Sequence, residues 1–188
     1  MNTLKQKIII ARIRKGDSAA FRELYDIFSD KIYRFVFFRL PNEQDAKDLL
    51  QEIFLSVWDY LNKDDVEVKN LQALIYKITK NSVSNYYVKN KLRLSEVGLD
   101  EVEYKIGESD ETSEVLDIRL EIEKVSQHLK NLKRPEYQEV IELKYISGLS
   151  HKEISKILDK TEQNVRTILH RAIKNLKQKI EESNSNEK

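Results

Sequence analysis

The chain has 188 residues, 40% hydrophobic and 35% charged, enough apolar material for one ordinary core or two small ones. Without cysteine there is neither a disulfide framework nor a thiolate metal site, and four Gly and two Pro leave little for hairpin-rich β architecture. The net charge of +1 hides an uneven distribution: residues 1–95 carry +5, residues 96–118 carry −8 and residues 119–188 carry +4.

These limits point to an all-α chain with two small helical domains, 1–95 and 119–182, joined by an acidic linker at 96–118 and followed by a polar tail at 183–188. His128, His151 and His170 have no ligand-like spacing, so no metal and no cofactor is expected. The apolar run 8–11 ends at Arg12, too short for a signal-peptide core, and nowhere do about 18 apolar residues follow one another. A cytoplasmic protein without membrane insertion is the expectation.

In chain order, the first helix is predicted over 18–39, with apolar residues at 21, 24, 25, 28, 32, 35 and 36. Past Pro41 a second is predicted over 42–61, where Ala46, Leu49, Leu50, Ile53, Phe54, Val57 and Trp58 make the core stripe. Asp45, Asp48, Gln51, Glu52 and Asp59 fall on its wet side, an acidic docking surface. A third, over 71–93, carries Lys77, Lys80, Lys89, Lys91 and Arg93 with no acid between 77 and 93, interleaved with Asn81, Asn85, Tyr86 and Tyr87. Cations neutralise phosphates and aromatic rings stack on unpaired bases, so this strip suits single-stranded or distorted DNA. Packing can equally claim either tyrosine.

The linker, EVGLDEVEYKIGESDETSEVLDI, has little helical periodicity, and its charge can compete with DNA for the basic faces beside it. Beyond it, positions 118, 122, 125, 129 and 132 form a helical stripe, Pro135 opens the next helix and Gly148 closes it. Ser150 with Glu153 makes a capping box for a short helix whose buried side is Ile154, Ile157 and Leu158. A three-residue joint follows, without the glycine often found there, and Thr161 can cap the last helix. In that helix Val165, Ile168, Leu169, Ala172, Ile173 and Leu176 repeat as one buried face. Opposite stand Glu162, Gln163, Arg166, Thr167, His170, Arg171 and Lys174, types that hydrogen-bond base edges and phosphates. Such a face on an isolated helix is often merely solvated. Following a short helix and a tight joint, it reads as the second helix of a helix-turn-helix.

GDSAAFRELYDIFSDKIYRF, then DAKDLLQEIFLSVWDYL, then LQALIYKITKNSVSNYYVKNKLR, an acidic linker and VIELKYISGLSHKEISKIL with its paired helix resemble an extracytoplasmic-function sigma factor over roughly residues 11–178. The resemblance implies core RNA polymerase, promoter DNA and an anti-sigma factor as partners. It assigns 1–95 to polymerase binding and opening of the minus-ten element, and 119–182 to reading the minus-thirty-five element. By the same resemblance, Asp48, Gln51 and Glu52 lie at the polymerase interface. Lys80, Asn81 and Asn85, with the segment 62–70, approach the melted strand, and the basic strip adds Lys77, Tyr86 and Lys89 as candidates. Arg166, Thr167, His170 and Arg171 enter the upstream element, and the polar faces add Lys152, Gln163 and Lys174. Three positions depart from the family pattern: Leu74 where tryptophan is usual, Asn85 for aspartate and Val88 for a basic residue. Leucine offers neither the stacking face nor the indole N–H of tryptophan.

No glycine-rich phosphate loop, cysteine nucleophile or histidine with a carboxylate partner is present, so no enzyme is expected. An autonomous helix-turn-helix regulator and a helical adaptor are the competing readings, and binding to core polymerase discriminates among all three.

Overall fold

A computed structural model describes residues 3–63, 67–91, 125, 127–129, 131–132 and 134–186. The acidic linker 96–118 lies outside the described residues, as do positions 118 and 122 of the stripe that follows; of its other positions Leu129 and Leu132 are buried and Val125 is exposed. Among the described residues there are helices and no strand, gathered in two compact units.

The first unit contains α1 (Thr3–Arg14), α2 (Ser18–Phe37), α3 (Glu43–Leu61) and α4 (Leu71–Lys89). Each of the last three starts at a side-chain cap. Asp17 accepts from the N–H groups of Ala19 and Ala20, Asn42 from that of Asp45, and Asn70 from that of Ala73. The periodic residues then face inward: Ala20, Leu24, Phe28, Ile32, Phe35 and Val36 on α2, and Ala46, Leu49, Leu50, Ile53, Phe54, Val57 and Leu61 on α3. Aromatic edges lock the layers, with Phe21 and Trp58 centroids 4.9 Å apart and Phe35 and Tyr76 5.6 Å apart.

The two ends of this unit stand differently against the sequence expectation. α4 runs to Lys89, where the Asn90 amide turns back to the Tyr86 carbonyl; residues 92–93, to which the sequence expectation extended it, lie outside the described residues. α1 was not anticipated: Ile9, Ile10 and Ile13 are buried, but Leu4 and Ile8 are 64% and 50% exposed, so apolar residues lie on both sides and blur the stripe. α1 nevertheless reaches both ends of the α3–α4 connection. Gln6 accepts the Leu71 N–H at 3.2 Å, and Arg14 donates to the Leu61 carbonyl at 3.2 Å. Leu71 is fully buried, and a buried N–H without a partner costs about 1–3 kcal/mol.

Ion pairs join α1 to α2: Arg12 lies 2.8 Å from Asp17 and 3.3 Å from Glu23, and Lys5 lies 2.9 Å from Glu23. The Ala20 N–H and then Arg12 hold the Asp17 carboxyl below its usual range, and Lys5 does the same for Glu23. A depressed folded pKa contributes stability above the unfolded value and loses it as pH falls through the folded one. The α1–α2 corner should therefore loosen first on acidification, and Asp17→Asn should flatten that acid limb. Amide hydrogen exchange at Ala19 and Ala20, followed as pH is lowered, checks this; equal acid sensitivity in both proteins would refute it.

The second unit contains α5 (Pro135–Ile141), α6 (His151–Leu158) as far as Ser155 and α7 (Glu162–Asn186), with α5 packed on α7. Pro135 stands in the first turn of α5, where its missing N–H costs nothing. The helix then widens into a π-turn, Glu142–Ile146, before Gly148 takes φ +67 and ends it. Sequence periodicity gave no sign of that widening. The π-turn keeps Glu142 and Leu143 buried, with the Gln138 amide donating to Glu142 at 3.0 Å, and leaves Tyr145 62% exposed.

α6 carries its capping box in full: the Glu153 N–H donates to Ser150 Oγ at 3.2 Å and the Ser150 N–H to the Glu153 carboxylate at 2.9 Å. In the joint Asp159 takes φ 52 and ψ 50, the left-handed role glycine usually fills, and the Lys160 N–H closes on the Ser155 carbonyl at 2.9 Å. Asp159→Gly should stabilise this unit by up to about 1 kcal/mol, and Asp159→Val should destabilise it by about 1–2 kcal/mol. Thermal unfolding checks the sign; a destabilised glycine variant would show that the aspartate side chain holds the joint. α7 buries Val165, Ile168, Leu169 and Ala172, half-buries Ile173 and Leu176, and runs through Asn186, into the stretch expected as a polar tail.

Candidate nucleic-acid interface

The joint sets where α7 begins, and the Thr161 hydroxyl fixes its first turn by accepting the Asn164 N–H at 3.1 Å. From that start Gln163, Arg166, His170, Arg171 and Lys174 are exposed on the side opposite the core stripe. Thr167 is half-buried, its hydroxyl donating to the Gln163 carbonyl at 3.0 Å. Among the described residues none of Arg166, Arg171 and Lys174 has an ion-pair partner, and the same holds for exposed Lys152 in the first turn of α6. Lys160 instead pairs with Glu136 at 3.0 Å, bracing the joint against α5. Such cations, without ion-pair partners among the described residues, are available to phosphates and guanine edges.

In the first unit α4 exposes Lys77, Asn81, Asn85, Val88 and Lys89, while Lys80 and Leu74 are half-buried. Tyr86 and Tyr87 are each tied through the hydroxyl. The Tyr86 hydroxyl donates to the Asp45 carboxylate and the Tyr87 hydroxyl to the Arg39 carbonyl, and burial pushes the Tyr87 pKa up. Tyr86, expected among the strand contacts, is thus half-buried and tied to α3, which restricts the ring face it can offer.

Asp48, Gln51 and Glu52 are exposed on α3. Asp45, Asp48 and Glu52 form one wall of a cleft of about 370 Å³ whose other wall includes Asn85, Tyr86 and Lys89 of α4. Residues that the sequence assigned to two different partners therefore share one cleft. Leu55, 64% exposed, lies on the outer face of α3 one turn beyond Gln51 and Glu52. Its signal was present in the sequence as an apolar residue out of register with the core stripe. No helix among the described residues is long and apolar enough to cross a membrane.

Helices α6 and α7 with their joint form a helix-turn-helix, and with the four-helix unit they define a DNA-binding protein of the transcription machinery. Residues 24–93 match the Sigma-70 region 2 family and residues 134–176 match Sigma-70, region 4. The chain is 30% identical over 181 residues to the ECF RNA polymerase sigma factor SigW of Bacillus subtilis, covering 91% of this chain and 94% of that one. It is 26% identical over 171 residues to the ECF RNA polymerase sigma factor BldN of Streptomyces coelicolor, covering 89% of this chain but 63% of the longer BldN. The fold matches CnrH, solved in complex with the cytosolic domain of CnrY, with a TM-score of 0.63 at 21% identity, over 94% of this chain and 97% of that one. The chain belongs to the ECF RNA polymerase sigma factors.

Proposed function

We propose that the first unit docks on core RNA polymerase through Asp48, Gln51 and Glu52 and faces the melted minus-ten strand with α4, while the second reads the minus-thirty-five element with α7. The domain limits 1–95 and 119–182 accompany this division of labour. The observation that carries the reading is the α7 face: Arg166, His170, Arg171 and Lys174 exposed along a helix that starts at a hydroxyl cap after a three-residue joint. That geometry presents the N-terminal turns of a recognition helix to a major groove and its later turns to phosphates. Among the α4 residues, Lys77, Asn81, Asn85 and Lys89 are the exposed candidates for the opened strand. The protein acts in the cytoplasm, without catalysis of its own and without a cofactor. It is held in check by an anti-sigma partner, a proposal prompted by CnrH, which shares the fold and is found bound to a second protein's cytosolic domain.

The deciding experiment mixes the purified protein with core RNA polymerase and genomic DNA and maps where transcription begins. Start sites sharing one common upstream element are expected. Absence of polymerase binding, with DNA binding retained, would instead make the protein an autonomous regulator.

A further inference from the structure

We propose that α1 is a positioning element for promoter opening, in which Gln6 and Arg14 fix the two ends of the α3–α4 connection and so set which bases the melted element prefers. The proposal rests on the reading that α4 faces the opened strand. Gln6, 7% exposed, accepts the N–H of Leu71, the first residue of α4, and Arg14 donates to the carbonyl of Leu61, the last residue of α3. Both targets are helix-terminal backbone groups with no partner in their own helical ladder.

The flanks of the connection also carry local caps. Asn70 accepts from the Ala73 N–H, and the Asn62 amide donates to the Trp58 carbonyl. Those bonds fix the turn at each end separately. α1 refers both ends to one rigid body, because Gln6 and Arg14 stand about 12 Å apart along its axis and buried Ile9, Ile10 and Ile13 anchor the helix between them. Releasing either end would let α4, with Lys77 and Asn81 in its first three turns and just past them, shift against α3. A recognition surface displaced in this way changes its ranking of bases as well as its affinity.

The test uses the full chain with core RNA polymerase and a promoter found by the start-site mapping, in a panel with each base of the minus-ten element replaced singly. Permanganate reactivity of unpaired thymines reads opening. Gln6→Leu and Arg14→Met are expected to reorder the panel, changing the preference at one or more positions by about fivefold or more, with polymerase and upstream-element affinities within about twofold of wild type. Gln6→Glu and Arg14→Lys, which keep an acceptor and a donor, are expected to restore the wild-type order.

A uniform fall across the panel, or no change, overturns the proposal, since a purely structural role would lower all promoters together. Asn81→Ala separates the two levels. If it reorders the panel while Gln6→Leu and Arg14→Met do not, the role of α1 is wrong; if it too leaves the order unchanged, the reading of α4 has failed and the proposal falls with it. Should Gln6→Leu lose its helical circular dichroism, Arg14→Met decides alone, because the Arg14 side chain is exposed and its removal leaves the core intact.

Discussion

Asp48→Lys combined with Glu52→Lys should weaken binding to core RNA polymerase by about 100-fold or more, with circular dichroism and thermal midpoint close to wild type. Both side chains are exposed, and the core stripe of α3 lies on the opposite face, so the reversal leaves packing untouched. Placing two cations where a complementary surface expects anions brings like charges together across an interface. That costs several kcal/mol, and about 2.7 kcal/mol already amounts to the 100-fold. Leu55→Ser should add a smaller loss, about tenfold, since docking on this face would bury the exposed leucine and the serine variant loses that apolar burial. Wild-type polymerase affinity in a folded double variant would remove this face from the docking site.

Arg166→Ala should relax promoter specificity at one upstream base pair by about 1–3 kcal/mol, whereas Lys174→Ala should weaken all sequences alike. The difference follows from place. Arg166 is exposed one turn into α7 and without an ion-pair partner among the described residues, free to make a bidentate contact with guanine. Lys174 stands two turns further on, where a recognition helix runs beside the backbone, and losing one phosphate contact should flatten the salt slope by about 1. Competition binding over a single-substitution series, repeated at several salt concentrations, separates the two. Parallel losses for both variants at every position would erase the distinction.

Where one apolar face met one core, the sequence was enough. α2, α3 and α7 follow their stripes, and the capping box of α6 and the cap at Thr161 form as the residue types demand. α1 was not legible, because Leu4 and Ile8 face away from the core that takes Ile9, Ile10 and Ile13. The π-turn at 142–146 was hidden too, since widening a turn by one residue changes hydrogen bonding without leaving a pattern in composition. At the candidate site, the exposed cations of α7 could be named from periodicity, but the commitment of Tyr86 to Asp45 could not. It joins residues 41 positions apart, and no local rule selects that pair. The joint was recognised without its usual glycine because the flanking helices identified it, and Asp159 tolerates a backbone conformation most residues resist.

The bonds from α1 to the α3–α4 connection span 65 and 47 positions, among the long loop closures of the first unit. During synthesis α1 is made before either of its hydrogen-bond targets, so the bonds from Gln6 to Leu71 and from Arg14 to Leu61 cannot form until those residues have left the ribosome. Where such contacts form only after the rate-limiting step, their loss appears in the unfolding limb. Ile13→Val should accordingly speed unfolding in stopped-flow experiments while leaving the folding rate nearly unchanged. α1, made before the helices it joins, would then be the last to lock.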